Sequence, residues 1–276
     1  MTARNPPNPC SIGLVEIGAG KLAVIAGPCV AESLRLCLQV ARVMAGICAR
    51  LGIGYVFKAS YDKANRSSVG GYRGPGLKTG LKWLSEVRRR VGVPVLSDVH
   101  EVPQVKPAAR VLDCLQVPAF LCRQTDLLIA AGKSGRPVNI KKGQFMAPAD
   151  MELAVQKVRS TGNSQVLLTE RGTFFGYNRL VTDFRAIPQM RALAPVVFDA
   201  THSVQEPGGL GSASGGERKY APVLAFAAMA AGADALFVET HPDPDRAKSD
   251  PLSQMPLSEM EPMLRRCLAF FETCRR

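Results

Sequence analysis

At 276 residues, with 46% hydrophobic and 21% charged residues, the chain can bury a sizeable core and has the length of two small domains or one barrel-type domain. That composition, without low-complexity tracts or internal repeats, excludes a disordered or solenoid protein. A formal charge of +12 favours anionic partners, among which nucleic acid, a membrane surface and phosphorylated metabolites stay open on charge alone.

The Pro-rich opening MTARNPPNPC reads as a loose terminus over residues 1–11. It has no apolar run after its arginine, unlike a secretory signal. The segment SIGLVEIGAGK follows and is expected to form a hairpin covering the bottom of whatever sheet comes next. Then eight short runs rich in Val, Ile, Leu and Phe recur with helical-length segments between them: LAVIAGPC, YVFKAS, PVLSDVH, LDCLQVPA, PVNIKK, VLLTERG, VVFDATH and ALFVETH. The intervening LRLCLQVARVMAGICARL and GLKWLSEVRRR are amphipathic at helical spacing, and ERKYAPVLAFAAMAAG is apolar enough to pack on most sides. Eight βα units in one chain of this size predict a single α/β domain over 1–276, a (β/α)8 TIM barrel with an N-terminal β-hairpin. A doubly wound open sheet is the alternative, but GxGxxG is missing after the first strand.

The longest apolar region, APVLAFAAMAAGADALFV, is broken by Gly232 and Asp234 into halves too short to span a bilayer. A cytoplasmic protein is expected, with no membrane partner. Eight scattered cysteines without a CxxC pair argue against a disulfide framework. The basic run Arg88, Arg89 and Arg90 reads as a solvated helix face.

The strands end, in order, on Cys29, Lys58, Asp98, Gln116, Lys141, Arg171, His202 and Glu239. One polar ending would mean little, but eight converge on the C-terminal mouth, where this fold keeps its chemistry. Lys58, Lys141 and Arg171 bring three cations there without carboxylates close in sequence, so a polyanionic ligand is expected to offset their repulsion. The plainer reading pairs each lysine with a core carboxylate such as Glu170.

With those endings in view, the chain resembles the 3-deoxy-D-manno-octulosonate 8-phosphate synthases from about Gly13 to near the C-terminus. The resemblance rests on IAGPCVAES, FKASYDKANRSS, YRGPGL, SDVHE, LQVPAFLCRQTDLL, NIKKGQF, TERGTFFGYNRLVTDFRAIP, FDATHSVQ, SGGERKY and FVETHPDPDRAKSD. It implies a transferase of lipopolysaccharide biosynthesis that condenses phosphoenolpyruvate with D-arabinose 5-phosphate. It further implies that Lys58, Ser60, Lys63, Lys141 and Arg171, with Gln116 nearby, hold phosphoenolpyruvate. Asn65, Arg66 and Ser67 would take the sugar's phosphate in a pocket completed across a subunit boundary of a homotetramer, and Asp98 would meet sugar hydroxyls. Lys58, Lys63, Lys141 and His202 are the expected catalytic residues.

The same resemblance separates metal-dependent from metal-independent members by the residue after GP, cysteine in the former and asparagine in the latter. Here it is Cys29. The implied ligands are Cys29, His202, Glu239 and Asp250, a mixed S, N and O set suited to zinc, iron, manganese or cobalt.

Two other readings are carried forward. The 3-deoxy-D-arabino-heptulosonate 7-phosphate synthases, which use erythrose 4-phosphate, are expected to carry KPR[TS] where this chain has KANRSS. A nucleic-acid-binding protein suits the charge, but no recognised module is present and aromatics are 6%, so no nucleic-acid partner is expected. The glycine-rich GGYRGPG and QEPGGLGSASGG read as mobile loops at the mouth, and the sequence leaves open whether they close over substrates.

Overall fold

Eight parallel strands close a ring in the computed structural model, which describes residues 8–66, 68–174, 178–208 and 215–275. Hairpin strands β1 (Cys10–Ile12) and β2 (Val15–Ile17) precede it. The barrel begins with β3 (Ala23–Gly27), β4 (Gly54–Lys58), β5 (Val95–Asp98), β6 (Cys114–Val117), β7 (Val138–Lys141) and β8 (Val166–Glu170). Two short strands, β9 (Thr173–Phe174) and β10 (Leu180–Val181), decorate the mouth before the seventh barrel strand, β11 (Val196–Asp199). A further pair, β12 (Gln205–Glu206) and β13 (Gly215–Gly216), lies between it and the last barrel strand, β14 (Ala235–His241). Each barrel strand pairs in parallel with its neighbour, and β14 pairs with both β11 and β3, which closes the ring.

The helices form where the apolar spacing changes from two to about 3.6. Helix α1 (Leu34–Leu51) starts at Ser33, whose side chain accepts from Leu36 N at 3.1 Å, and stops at Gly52 with φ 68. That left-handed cap suits glycine because no Cβ opposes it. The buried stripe of α1 runs Cys37, Leu38, Val40, Ala41, Met44, Ile47 and Cys48. Helix α2 (Gly76–Val91) begins four residues before the amphipathic run, and its Arg89 and Arg90 pair with Glu86 at the surface. The apolar 221–230 helix is not packed on all sides: Ala221, Ala225, Ala228 and Met229 are buried, but Val223 is exposed.

Alternation along the strands builds two different interiors. Outward residues join the helices in one large core. Inward residues at the amino end form a separate apolar plug of Ile25, Val56, Leu96, Cys114, Leu167, Val197 and Phe237, capped by Cys10, Ile12 and Ile17 of the hairpin. Burying each large side chain of this kind contributes about 1.5–3 kcal/mol. The hairpin therefore covers the bottom as expected, although β1 begins at Cys10, inside the stretch expected to be loose. Above the plug the same inward positions turn polar: Lys58, Asp98, Gln116, Asn139, Thr169, Asp199 and Glu239, all buried. The barrel is an apolar cup below and a charged one above. No described helix is long and apolar enough to cross a membrane.

Candidate active site

The charged upper layer opens into a cavity of about 410 Å³ at the carboxyl ends of the strands. Among the residues on its wall are Lys58, Lys63, Asn65, Arg66, Asp98, Gln116, Lys141, Arg171, His202 and Asp250. One rim thus gathers all but a few of the residues singled out in the sequence. Ser60 lies just beneath, fully buried and donating to Asp98. Ser67 falls outside the described residues, as does the 209–214 part of the second glycine-rich loop.

The sequence expectation about charge needs correction. Lys58 Nζ meets Glu239 Oε1 at 2.6 Å, and Lys141 Nζ meets Asp199 Oδ2 at 2.5 Å. Carboxylates distant in sequence arrive on neighbouring strands, so the two lysines are balanced before any ligand binds. Glu170, the suspected partner, instead faces the fully buried Lys142 at 3.6 Å. Arg171 is different. It donates to His202 O at 3.1 Å and Gln205 Oε1 at 2.8 Å, and among the described residues no carboxylate lies within ion-pair distance of it. Both bonds use Nη2, so Nε and Nη1 keep donors for an anion.

Burial tends to raise the carboxyl of Glu239, but His202, Lys58, Lys63 and Lys141 outweigh it and hold Glu239 well below the usual carboxylate range. Asp98 is likewise lowered, against burial, by Lys58, Lys63, His100 and Lys141. Burial disfavours the Lys63 ammonium, yet Cys29, Glu239, Asp250 and Asp98 together raise its pKa above the ordinary value. Burial also lowers His202, opposed by Asp199 and Glu239, so the imidazole is neutral near pH 7. These shifts follow from desolvation set against nearby opposite charge.

Cys29, Glu239 and Asp250 bring one ligand atom each to within 4.8 Å of one another. Cys29 Sγ lies 3.0 Å from Asp250 Oδ2 and 2.8 Å from Ser249 Oγ. Asp250 adopts φ 46, a left-handed conformation that aspartate tolerates. His202, the expected fourth ligand, stands outside that group. Its Nε2 is 3.6 Å from Glu239 Oε2, while Nδ1 faces Asp199 Oδ2 at 2.7 Å. The reason is local: the strand ends at Asp199, and His202 opens a single 3-10 turn (His202–Val204).

The residues present fit a divalent cation. Glu239 Oε2 is buried without a hydrogen-bond partner and faces this group. Burial, Glu239 and Asp250 together push the Cys29 thiol well above its ordinary pKa, against the pull of Lys63 and Lys58. A thiolate there needs more positive charge than the two lysines supply, which a divalent cation held by these residues would provide.

Sequence reasoning missed Asp199, Gln205, Gln144 and His100. Asp199 was visible as an inward position two residues before Thr201 in VVFDATH. Gln205 carried no strand signal, yet it links Arg171 to Asp250, donating to Asp250 Oδ1 at 2.9 Å. Gln144 and His100 line the cavity from loops after β7 and β5.

A family model described as the DAHP synthetase I family matches residues 8–269. Among curated proteins, the chain is 58% identical over 262 residues to the 2-dehydro-3-deoxyphosphooctonate aldolase of Granulibacter bethesdensis, covering 94% of this chain and 93% of that one. It is 57% identical over 253 residues to the protein of the same name from Syntrophobacter fumaroxidans, covering 91% and 88%. With its namesake from Syntrophotalea carbinolica the identity is 56% over 265 residues, covering 95% and 96%.

Proposed function

The chain belongs to the DAHP synthetase I family, and from that membership we propose that it is a 3-deoxy-D-manno-octulosonate 8-phosphate synthase. It condenses phosphoenolpyruvate, D-arabinose 5-phosphate and water into the eight-carbon sugar acid phosphate and inorganic phosphate. Its relatives at this identity carry the octonate name, and KANRSS stands where the heptulosonate synthases are expected to carry KPR[TS], so arabinose 5-phosphate is favoured over erythrose 4-phosphate. The observation that carries the reading is the convergence of Lys63, Lys141 and Arg171 on one cavity beside Cys29, Glu239 and Asp250.

Two anions that repel each other must be held together while C3 of phosphoenolpyruvate attacks the aldehyde and water adds at C2. The resulting hemiketal phosphate then loses phosphate by C–O cleavage. Arg171 donates to phosphate oxygens from Nε and Nη1, and Lys63 and Lys141 supply point charges. Lys58, fixed by Glu239 Oε1 and by Cys29 O at 3.0 Å, stays in place as charge develops, which is preorganised stabilisation. Asn65 and Arg66, on the exposed side of the cavity, receive the sugar's phosphate together with Ser67. Ionised Asp98 accepts from sugar hydroxyls. Neutral His202, oriented by Asp199, is placed to take or give a proton at Nε2.

Cys29, Glu239 and Asp250, with His202 closing in, would hold a zinc, iron, manganese or cobalt ion. Such an ion supplies Lewis acidity and ligand orientation when bound. The exposed Phe120, Phe145 and Phe174 lie on loops after three consecutive strands, an apolar surface beside the mouth that a neighbouring subunit of a homotetramer would cover. The deciding assay is phosphate release with arabinose 5-phosphate and with erythrose 4-phosphate, before and after chelation. Release only with the four-carbon sugar would reverse the assignment, and full activity after metal stripping would remove the metal.

A further inference from the structure

We propose that Asn139 and Thr169, neither of which lines the cavity, are positioning residues that fix the orientation of Gln116 and, through it, the acceptor face of Asp98. The inference rests on the proposed reading, in which Asp98 meets the sugar's hydroxyls.

Asp98, Gln116 and Asn139 lie at one level of the barrel, since Asp98 pairs with Gln116 and Gln116 with Asn139 across successive strands. On β8 the register pairs Asn139 with Leu167 and Lys141 with Thr169, so Thr169 stands one step above the row and its side chain reaches back to Asn139. Their side chains make an unbroken chain: Gln116 Nε2 donates to Asp98 Oδ1 at 2.5 Å, Asn139 Nδ2 to Gln116 Oε1 at 2.9 Å, and Thr169 Oγ1 to Asn139 Oδ1 at 2.7 Å. Ser60 closes the far end by donating to Asp98 Oδ2. Asn139 and Thr169 are 0% exposed.

The direction of every bond is forced. Asp98 is held ionised by the surrounding lysines, so it can only accept. Gln116 must then turn its NH2 toward Asp98, leaving Oε1 toward Asn139. Asn139 must answer with its own NH2, leaving Oδ1 toward Thr169, whose hydroxyl must donate. Reversing Gln116 sets oxygen against oxygen at Asp98 and N–H against N–H at Asn139, and reversing Asn139 sets its oxygen against Gln116 Oε1. Two residues earlier, the inward positions of β5, β6 and β8 are Leu96, Cys114 and Leu167, so the barrel itself does not require polarity here. Burying two amides and a hydroxyl is costly unless all are paired. What the chain gains is a single rotamer sense for the residue that touches Asp98.

The test compares Thr169→Val, Thr169→Ser and Asn139→Asp with wild type. Thr169→Val keeps the shape and removes the donor, leaving Asn139 Oδ1 buried without a partner and the Asn139 amide without its anchor. The KM for arabinose 5-phosphate is expected to rise about tenfold. The KM for phosphoenolpyruvate moves less, because its charges are held chiefly by Lys63, Lys141 and Arg171. Thr169→Ser restores the donor and the wild-type KM. Asn139→Asp demands donors from both sides, turns Gln116 Oε1 onto Asp98, and raises the sugar KM by roughly a hundredfold. A purely structural role would lower melting temperature and active-enzyme concentration with both KM values unchanged, and that result overturns the proposal. So does a Thr169→Ser variant no better than Thr169→Val. If Asn139→Asp does not fold, the valine and serine pair decides. Wild type is assayed first: failure to turn over arabinose 5-phosphate removes the functional reading and this inference with it, whereas an active wild type with unaffected variants removes the inference alone.

Discussion

Lys142 is the sharpest test of the barrel's buried electrostatics. Its side chain is fully buried, and Nζ reaches Thr173 Oγ1 at 3.1 Å, the carbonyls of Gly143 and Gly172 at 3.3 Å, that of Met146 at 3.5 Å, and Glu170 Oε2 at 3.6 Å. One ammonium thus ties the loop after β7, which carries Gln144, to the loop after β8, which follows Arg171. Lys142→Met fills the space but leaves the Glu170 carboxylate and several acceptors without their cation. Glu170 keeps the bond from Gly172 N at 2.7 Å. Removing one partner of a buried pair costs about 3–5 kcal/mol. In a chain of this size that lowers the melting temperature by roughly 10 °C.

The loss should depend on pH. Burial already raises Glu170 above the usual carboxylate value, with Lys142 opposing it. Without Lys142 it rises further, so the native variant binds a proton that the unfolded chain releases. Stability then falls as pH climbs from the unfolded carboxylate range through the folded pKa, and the variant sits closer to wild type at pH 5 than at pH 8. Melting scans at one heating rate across that range check this, and Lys142→Met with Glu170→Gln should recover most of the loss. A Lys142→Met protein as stable as wild type at pH 8, or one whose deficit grows in acid, would refute the reasoning.

Other outcomes follow from the site. Arg171→Lys keeps the charge and loses the fork, so the KM for phosphoenolpyruvate should rise about 10–100-fold; an unchanged KM means the guanidinium does not hold that substrate. Cys29→Asn removes the sulfur ligand, and metal content measured together with turnover should show tight binding lost; a variant retaining one ion per chain excludes Cys29 from the site. Gly27→Ala would place a Cβ 1.9 Å from Lys58 O, forcing β3 and β4 apart beneath Lys58. A cost of about 3 kcal/mol is expected, at the upper end of overpacking, read as a lowered melting temperature with impaired turnover.

Much of this architecture was legible because its physics is local. Eight apolar runs with helical spacers give the barrel, and α1 was readable to its last residue because Ser33 and Gly52 mark both ends. The gathering of Lys58, Asp98, Gln116 and Lys141 followed from strand parity. What sequence could not show is which side chains meet across the ring. Lys58 and Glu239 are 181 residues apart, yet β3 alone separates their strands. His202 stands outside the group formed by Cys29, Glu239 and Asp250 because it follows the end of its strand by three residues, in a 3-10 turn. Asp199 and Thr169 were legible in principle, being inward positions of recognised strands. Gln205 was not, since a residue in a two-residue strand at the mouth announces its neighbours only in space.

That pairing changes the argument for an anionic ligand. Uncompensated lysines in the mouth would have demanded a polyanion, but Glu239 and Asp199 neutralise Lys58 and Lys141 without one. The remaining cationic capacity lies in Lys63, Arg66 and Arg171, against Asp98, Asp250 and the Cys29 thiol. Two phosphorylated substrates bring more negative charge than this balance absorbs. Either the substrates' charges are spread over the cavity by Arg171, whose charge has no carboxylate partner among the described residues, or a divalent cation at Cys29, Glu239 and Asp250 makes up the difference. The second route also settles the thiol, which burial and two carboxylates otherwise keep protonated. One ion would thereby stabilise the thiolate, satisfy Glu239 Oε2 and raise the positive potential where the two anions must meet. If so, stripping metal should weaken the binding of both phosphorylated substrates as well as turnover. Equilibrium binding of phosphoenolpyruvate to the metal-free and metal-loaded protein separates the two routes, because charge spreading by Arg171 alone predicts equal affinity.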